Sequence, residues 1–264
     1  MAGEQTIRLV AFLGVLAAIA AWELAAPRRK LTDDKRGRWF SNLALVAIDT
    51  LVVRLVLPVL PVGMALMAQA RGWGILNQVD LPYWLDILLA VIALDFVIYL
   101  QHVMFHFLPI LWRLHRMHHT DLDIDVTTGL RFHPIEIVLS IGIKLAAIAL
   151  IGPPAWAVVS FEVILNATSQ FNHGNIRMNG TVDRWLRLFV VTPDMHRVHH
   201  SVIPRETNSN FGFSLPWWDR LCGTYRPQPE QGHEGMVIGL KEYRDPAALT
   251  LPRLLVQPFF RKPV

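Results

Sequence analysis

The sequence predicts an all-α membrane protein in which four or five apolar segments form a polytopic helical bundle. Hydrophobic residues make up 53% of the 264 residues, and charged residues make up 17%, compared with about 25% in soluble proteins. The apolar residues are also concentrated in long stretches of the chain. These three observations exclude an ordinary soluble domain and a disordered chain, which would be poor in apolar residues.

The first two apolar segments are separated by the most charged stretch of the chain. Residues 7–26 form the first segment, and about 20 residues are enough to cross a bilayer as a helix. Residues 28–38 follow with six basic and two acidic residues. Residues 41–70 form a second apolar region that is longer than one crossing needs, and Pro58 and Pro61 are expected to kink or break it.

Three further apolar regions complete the predicted bundle, at residues 81–107, 135–151 and 155–169. A Gly-Pro-Pro sequence at 152–154 separates the last two regions. Because proline cannot continue a helix, these two regions are predicted to form a helical hairpin, which is either shallow or fully spanning.

The distribution of basic residues predicts how the chain is oriented in the membrane. Short cytoplasmic loops carry an excess of Lys and Arg. Six basic residues lie in the first loop and one lies in residues 71–80, so the first loop is predicted to be cytoplasmic and the N-terminus external. The C-terminal region, with Arg253, Arg261 and Lys262, is then cytoplasmic. We expect a multi-pass protein of a bacterial inner membrane, and no nucleic-acid partner is needed to explain the net charge of +4.

The single cysteine, Cys222, limits the kinds of cofactor that the chain can hold. It excludes a disulfide scaffold, a cysteine-ligated zinc site and a self-contained iron–sulfur cluster. We expect Cys222 to be a small buried residue. The sequence has no glycine-rich dinucleotide motif, so NAD(P)H is not expected to bind directly.

Histidines provide the strongest functional signal, because ten of the eleven lie between residues 102 and 200. One pair is spaced i, i+4 and two triplets are spaced i, i+3, i+4, so each set lies on one side of a helical turn. The pair is His102 and His106, and the triplets are His115, His118 and His119, and His196, His199 and His200. Imidazole is the commonest metal ligand. Eight imidazoles are too many for one ion with four to six ligands, so the spacing predicts two metal ions.

The ligand type alone leaves the metal and the function open. All-imidazole sites suit iron, copper or zinc. A redox enzyme acting on an apolar substrate, a non-catalytic metal-binding or transport protein, and a membrane zinc hydrolase are the three candidates. Transporters usually place ligands near the bilayer midplane, whereas these histidines lie at the end of a segment and beyond it. Few carboxylates accompany the histidines, which weighs against a hydrolase.

Three histidine motifs and two later motifs together resemble the fatty acid hydroxylase / sterol desaturase superfamily. The histidine motifs are the stretch from Asp95 to His106, the stretch from Leu111 to His119, and His196-x-x-His199-His200. Asn208-x-Asn210-Phe-Gly212 and the stretch from Trp218 to Tyr225 are similar to the closing motifs of the superfamily. The resemblance extends over roughly half of the chain, and the three histidine motifs in this order are highly specific.

The resemblance implies an integral membrane di-iron enzyme, with a cytoplasmic histidine-rich cap above the bundle. Such an enzyme uses O2 to hydroxylate or desaturate a lipid such as a fatty acyl chain or a sterol. Two iron ions would be bound by the eight histidines of the pair and triplets, and His173 is expected to be a ninth ligand. The implied domains are N-terminal transmembrane segments at 1–80, a catalytic domain at 81–226 and a cytoplasmic tail at 227–264.

The resemblance also suggests roles for residues outside the three histidine motifs. His133 is expected to be a distant ligand, a residue that supports a ligand, or a cap of the hairpin. Asp95 and Asp194 are expected to accept hydrogen bonds from ligand imidazoles. The alternatives are a buried tyrosine or arginine partner for Asp95 and a helix N-cap role for Asp194. His233 is expected on the surface.

Electrons are expected to come from a separate donor, such as a ferredoxin or a b-type cytochrome with its reductase. Arginines next to the histidine motifs are the candidates for its docking face, because such carriers are often acidic. These are Arg113, Arg116, Arg197 and Arg205. The alternative is that they anchor the protein to anionic lipid headgroups. Trp217 and Trp218 are expected to be membrane-interface anchors or to line a substrate tunnel.

Overall fold

The computed structural model describes residues 3–260, and the regular secondary structure of these residues is helical apart from two isolated β-bridges. The first two and last four residues, including Arg261 and Lys262 of the predicted tail, lie outside the described residues. The prediction of an all-α bundle is therefore confirmed.

Seven helices of 11 residues or more form the bundle and the base of the metal centre within the described range. They are α1 (Glu4–Ala25), α2 (Lys35–Val56), α3 (Pro61–Arg71), α4 (Tyr83–Phe107), α5 (Pro109–His119), α6 (Pro134–Ile151) and α7 (Ala155–Asn172). Shorter α-helices follow at α8 (Gly180–Leu186), α9 (Pro193–His199), α10 (Pro204–Thr207), α11 (Trp217–Leu221), α12 (Gly232–Gly235) and α13 (Leu251–Val256). Single 3-10 turns lie at Ile75–Gln78, Thr128–Leu130, Pro246–Leu249 and Gln257–Phe259.

Four helical segments of the described chain are long and apolar enough to cross a membrane: α1, the combined stretch Lys35–Gln78, α4 and α6. The fifth predicted segment, 155–169, forms α7 but does not meet this criterion. Nine of the 18 residues of α7 are buried, and the helix packs against α1, α3 and α4. It therefore forms the centre of the bundle rather than its lipid-facing wall.

The predicted break in the second segment is confirmed, because α2 ends at Val56 and α3 begins at Pro61. The helices α2 and α3 both pack against α6, with α2 near its start and α3 near its end. Asn42 near the start of α2 bonds to Arg131 just before α6, whereas Ala65 of α3 packs near Ile148 at the end of α6. The broken region thus crosses the bundle once.

The predicted hairpin is also present, with residues 152–154 between α6 and α7. Gly152 ends α6 with φ 71, a left-handed conformation that favours glycine. Gly74, after α3, approaches it so closely that an added Cβ would lie 2.2 Å from the Gly152 nitrogen. The two glycines allow the connection before α4 to pack directly against the hairpin turn.

The cap consists of residues 109–133 and 173–260 and lies at the end of the bundle opposite this turn. The basic first loop lies at this end, because Arg38 at the start of α2 bonds to Asp121 in the cap. The C-terminal region packs there as well, since Tyr243 and Leu254 form an apolar cluster with Leu45 and Met117. The domain boundaries at residues 80 and 226 remain predictions.

Candidate metal centre

All nine predicted histidine ligands lie together at the cap end of the bundle, in two groups, and all nine are buried. The five-histidine group consists of His102, His106, His115, His119 and His199, and the four-histidine group consists of His118, His173, His196 and His200. Within each group the candidate ligand atoms lie within 4.8 Å of one another. The number and closeness of the imidazoles suit one metal ion in each group.

Each histidine triplet contributes to both groups. In α5, His115 and His119 belong to the five-histidine group and His118 belongs to the other. A helix turns by about 100° per residue, so residue i+4 is rotated by about 40° from residue i in one direction. Residue i+3 is rotated by about 60° in the other direction, which separates it from residue i+4 by about 100°. The triplet in α9 divides in the same way, with His199 separated from its neighbours. Two short helices therefore hold both groups in one fixed arrangement.

The local sequence explains where these short helices begin. Pro109 occupies the first turn of α5, directly after α4, and Pro193 occupies the first turn of α9. Proline is well tolerated there, because the first helical N–H groups have no partner within the helix. The side chain of Thr192 caps α9 by accepting a hydrogen bond from the Met195 N–H.

Short hydrogen bonds, of 2.6 or 2.7 Å, fix the orientation of four imidazoles. Each donates from Nδ1 to an oxygen of the protein, so the neutral ring directs the lone pair of Nε2 into its group. The pairs are His102 with the Phe211 carbonyl at 2.7 Å, His199 with the Ser209 carbonyl at 2.7 Å, His173 with the Ser169 carbonyl at 2.7 Å, and His115 with the Glu136 carboxylate at 2.6 Å. These contacts select the tautomer that binds metal through Nε2.

The Nε2 atoms approach one another as the ligands of a metal do. His102 Nε2 lies 3.1 Å from His115 Nε2, and His173 Nε2 lies 3.1 Å from those of His118 and His196. A metal about 2.0–2.1 Å from each nitrogen separates its ligand nitrogens by about 3.0–3.4 Å. His102 and His115 both carry their hydrogen on Nδ1, so their two Nε2 lone pairs face each other, and a cation satisfies both.

Several buried imidazole nitrogens have no hydrogen-bond partner among residues 3–260, which also indicates a metal site. They include the Nε2 atoms of His106, His119, His199 and His200. Buried polar atoms are normally paired. A cation bound in each group would satisfy these atoms, so the donor set fits the metal that the sequence predicts.

Burial also keeps these imidazoles in the form that binds metal. It lowers the pKa of His115 and His173 to about 3. Burial also holds the pKa of five further histidines well below the usual value of 6.5. These are His118, His119, His196, His199 and His200. These histidines are therefore neutral near pH 7 and can coordinate a cation without first losing a proton.

The carboxylate of Glu136 is a functional feature that the sequence reasoning missed. Glu136 is buried in the first turn of α6, and its bond to His115 Nδ1 is among the shortest in the centre. A carboxylate in this position orients the ring and makes its other nitrogen a stronger ligand. The available signal was an acidic residue inside the apolar segment 135–151, where a charged group needs a specific partner.

The loop at 208–212 supports the five-histidine group. The Asn208 side-chain oxygen accepts from His106 Nδ1 at 3.2 Å, and the carbonyls of Ser209 and Phe211 accept from two further histidines. This is the Asn208-x-Asn210-Phe-Gly212 motif of the sequence. Its structural role is to place three oxygens around one group of imidazoles.

Asp219, from the second closing motif, holds this loop in place. Its carboxylate accepts hydrogen bonds from the N–H groups of Phe211 and Gly212, both at 2.8 Å, and from the Thr224 hydroxyl at 2.7 Å. A Cβ on Gly212 would lie 2.7 Å from the Asp219 carboxylate. The close contact explains why glycine is required at this position.

The structure assigns His133 to a helix cap. Its Nδ1 accepts from the Ile135 N–H at 3.2 Å, and its Nε2 lies 3.1 Å from the Leu255 carbonyl, to which it donates. It belongs to neither histidine group. Of the three expectations for His133, the cap is the one that these contacts support.

Asp95 does not contact a ligand imidazole, in contrast to our expectation. Its carboxylate accepts from Trp218 Nε1 at 2.8 Å and from the Leu215 N–H at 3.2 Å. Seven residues of helix separate Asp95 from His102, a rise of about 10 Å. The two residues share a helix face but lie at different depths in the bundle.

Asp194 also differs from both expectations. Thr192 provides the N-cap of α9, and the Asp194 carboxylate is bonded to Arg197 and, at 3.3 Å, to Arg28 of the first loop. These partners are guanidinium groups and not ligand imidazoles. Asp194 therefore connects the first loop to the helix that carries the third histidine motif.

Three expectations about exposure are wrong. Arg197 is fully buried, so it cannot form part of a docking face; its guanidinium also donates to the Gly174 carbonyl. His233 is buried, 3.7 Å from the Asp194 carboxylate. Cys222 is exposed. Long-range contacts between the first loop, α9 and α12 bury the first two residues, and local sequence does not report such contacts.

The comparisons with known proteins agree with the geometry. The family model for fatty acid hydroxylase matches residues 87–224, the stretch that contains both histidine groups. An ornithine lipid hydroxylase from Rhizobium tropici is 27% identical, and the match covers 96% of this chain and 76% of that protein. No significant match exists among the solved structures.

The alkylglycerol monooxygenases of Xenopus tropicalis and Homo sapiens are 31% and 32% identical over 60% and 57% of this chain. The matches cover only 35% and 32% of those proteins, so the chain spans about a third of their length. The expected resemblance is confirmed, as is the expected class of oxygen-dependent enzyme. The chain belongs to the fatty acid hydroxylase family of membrane-bound lipid hydroxylases.

Proposed function

We propose that this protein is a di-iron monooxygenase that hydroxylates a polar membrane lipid. The observation that supports it most directly is the pair of buried histidine groups at one end of a membrane bundle. Imidazole groups without thiolates suit iron, and the relatives named above are a hydroxylase and monooxygenases. Hydroxylation is therefore preferred to desaturation.

The nine histidines would hold two iron ions, one in each group. Iron bound there would supply the activation of O2 and the transfer of one oxygen atom to a C–H bond, and the protein controls its environment. Glu136 accepts the Nδ1 hydrogen of His115, which strengthens the other nitrogen as a ligand. The 208–212 loop fixes the rings of three further histidines.

Aromatic rings pack against the imidazoles of the centre. Phe132 stacks on His118 with 4.6 Å between ring centroids, and Phe211 and Trp112 lie 5.0 Å and 4.9 Å from the ring of His106. This surrounding suits an apolar substrate, and it protects a reactive centre from side reactions. A cleft of about 230 Å³ is lined in part by His106, Trp112 and Asn208. We propose that the substrate reaches the centre through this cleft.

The relatives suggest which lipids to test first. The Rhizobium tropici relative, which matches nearly the whole chain, is named for ornithine lipid. An amino-acid-containing lipid is therefore the first candidate substrate. An ether-linked glycerol lipid is the second, since the alkylglycerol monooxygenases match more than half of this chain.

We further propose that electrons come from a separate protein, either a ferredoxin or a b-type cytochrome with its reductase. The sequence contains one cysteine and no glycine-rich dinucleotide motif. Arg113 and Arg205 remain candidates for the docking face, and Arg205 is ion-paired with Glu230. The cytoplasmic orientation in a bacterial inner membrane is part of this proposal. It rests on the basic first loop, which lies at the same end of the bundle as the histidines.

Expression in a bacterium that makes ornithine lipid without a hydroxylase for it tests the proposed function. Under isotopically heavy O2, the lipid should gain one heavy oxygen atom, which tandem mass spectrometry detects and assigns to the headgroup or to a chain. The same strain with His118→Ala is the control and should show none. Metal-dependent lipid cleavage without oxygen incorporation would favour the hydrolase alternative, and metal accumulation without lipid change would favour the transporter.

A further inference from the structure

The cap carries an exposed apolar patch that the metal centre does not use. Six large apolar residues have exposed fractions between 37% and 75%. They are Val182, Trp185, Leu188 and Phe189, in α8 and the turn after it, and Trp217 and Leu221 in α11. We call these six residues the apolar patch. Contiguous apolar surfaces of this kind indicate an interaction site.

Hydrogen bonds join the two segments of the patch into one surface. Trp217 Nε1 donates to the Leu188 carbonyl at 2.7 Å. Arg220 donates to the Arg187 carbonyl at 3.1 Å. The patch is therefore part of the fixed structure of the cap.

The acidic residue of α8 points inward, whereas two of its large apolar residues point outward. Its Asp183 is buried and ion-paired at 2.6 Å with Arg187, one residue beyond the end of the helix. Asp183 also accepts from the Thr192 hydroxyl at 2.6 Å. Val182 and Trp185 point outward. A surface helix of a soluble protein directs its apolar face inward, so the outer face of α8 is suited to an apolar medium.

Contacts with α4 show how deep the patch lies. Trp218, next to Trp217, donates to Asp95 at 2.8 Å. Asp95 is the thirteenth residue of a 25-residue helix that is long enough to cross a membrane. It lies about 10 Å further along this helix than His102, on the side away from the cap. The segment carrying Trp217 and Leu221 thus runs beside the spanning helix.

Basic residues border the patch. Arg184 and Arg220 are exposed, and the Arg220 guanidinium lies 4.1 Å from the centroid of the Tyr225 ring. Aromatic residues with neighbouring arginines are typical of the membrane–water interface, where arginine contacts anionic headgroups. The composition of the border therefore matches a lipid surface.

We propose that the apolar patch is inserted into the hydrocarbon of the bilayer leaflet on the side of the metal centre. The cap would then be attached to the membrane by its own surface as well as by the spanning helices. Continuity with the lipid-facing surface of α4 favours hydrocarbon over a second copy of the chain or a soluble electron donor. An acyl chain could then approach the cap without passing through water.

The native Cys222 provides a reporter for this proposal, because it is exposed, follows Leu221 and is the only cysteine of the chain. A nitroxide is attached to it in the full chain, which is reconstituted in phosphatidylcholine vesicles containing phosphatidylglycerol. Collision rates are measured by electron paramagnetic resonance with O2, which concentrates in hydrocarbon, and with a charged nickel chelate, which stays in water. The matched control is Cys222→Ser with Gln231→Cys, because Gln231 is exposed elsewhere on the cap.

The O2-to-nickel ratio should be several-fold higher at Cys222 than at Gln231→Cys. Equal ratios at the two positions would overturn the proposal. Low collision rates with both reagents at Cys222 would also overturn it, since a protein would then cover the patch. If dilution with unlabelled chain removed a spin–spin broadening at Cys222, that protein would be a second copy. None of these readings depends on catalytic activity.

Discussion

The two histidine groups differ in how firmly the protein holds their imidazoles. In the five-histidine group, four of the five rings donate from Nδ1 to a protein oxygen. In the four-histidine group only His173 does so, and the Nδ1 atoms of His118, His196 and His200 have no partner within residues 3–260. The five-histidine group is therefore preorganised for its metal, and the other group depends more on the metal for its geometry.

This difference predicts an order of metal binding. Ligands that are already oriented lose less conformational freedom on binding, so the five-histidine group should bind its metal more tightly. The shared helices α5 and α9 should nevertheless couple the two groups, because each contributes ligands to both. The following variants test the comparison, from the largest expected effect to the smallest.

Removal of one ligand from either group should abolish turnover. His199→Ala removes a ligand of the five-histidine group, and His118→Ala removes one from the four-histidine group. Lipid hydroxylation should fall below detection in both, whereas each protein should remain in the membrane fraction because the spanning helices are unchanged. Only His199→Ala should also prevent tight binding of the first metal ion. An active His118→Ala enzyme would show that the complete four-histidine group is not needed for turnover.

Loss of the Glu136 carboxylate should weaken the five-histidine group selectively. Partners of metal-bound histidines typically change metal affinity or activity by about 10–100-fold. We expect Glu136→Ala near the upper end of this range and Glu136→Gln near the lower end, since an amide oxygen can still accept from His115. Metal affinity is measured by competition with a chelator. Wild-type metal affinity in both variants would show that Glu136 does not strengthen His115 as a ligand.

Asp219→Asn should destabilise the loop that supports the five-histidine group. The carboxylate accepts three hydrogen bonds, and its loss should cost about 1–3 kcal/mol of unfolding free energy. Thr224→Val removes one of the three bonds, together with the 3.1 Å hydrogen bond between the Thr224 and Tyr99 hydroxyls, and should have a smaller effect. Unfolding is followed in detergent together with metal content. If a destabilised Asp219→Asn protein still bound metal fully in the five-histidine group, the loop would not be needed for metal binding.

The smallest effect is expected beside α9, where His233 faces Asp194. Burial lowers the pKa of His233 from 6.5 to about 4. The unfolded chain therefore binds the proton more readily between these values, and stability falls as the pH decreases through this window. His233→Gln should reduce the loss of thermal stability between neutral pH and about pH 5 and leave hydroxylation nearly unchanged. An identical loss in both proteins would assign the acid sensitivity to other groups.

The sequence could predict features whose cause is local. The hairpin follows from Pro153 and Pro154, the break in the second segment follows from Pro58 and Pro61, and the shared faces of the histidines follow from helical spacing. The division of each triplet was also contained in the spacing, since His118 is rotated by about 100° from His119. Our prediction places all three histidines of a triplet on one face and so does not include this division.

The features that sequence reasoning could not supply depend on contacts across the fold. Glu136 and His115 are 21 positions apart, and no local pattern pairs them. Local sequence predicts His233 and Arg197 on the surface, but the first loop and α12 pack against α9 and bury both residues. Asp95 lies on the same helix face as His102, but depth along the helix decides its partner, and this is Trp218.

The most direct test of the central claim is the metal content of the protein and the state of that metal. Anaerobic loading of the metal-free protein with Fe²⁺ should give two iron ions per chain, with a Mössbauer spectrum of two nitrogen-ligated sites. His118→Ala should retain one of the two, because the five-histidine group remains complete. Recovered zinc alone would not decide the matter, since Zn²⁺ outcompetes Fe²⁺ for nitrogen ligands. One iron or fewer per wild-type chain after controlled loading would contradict the two-metal account.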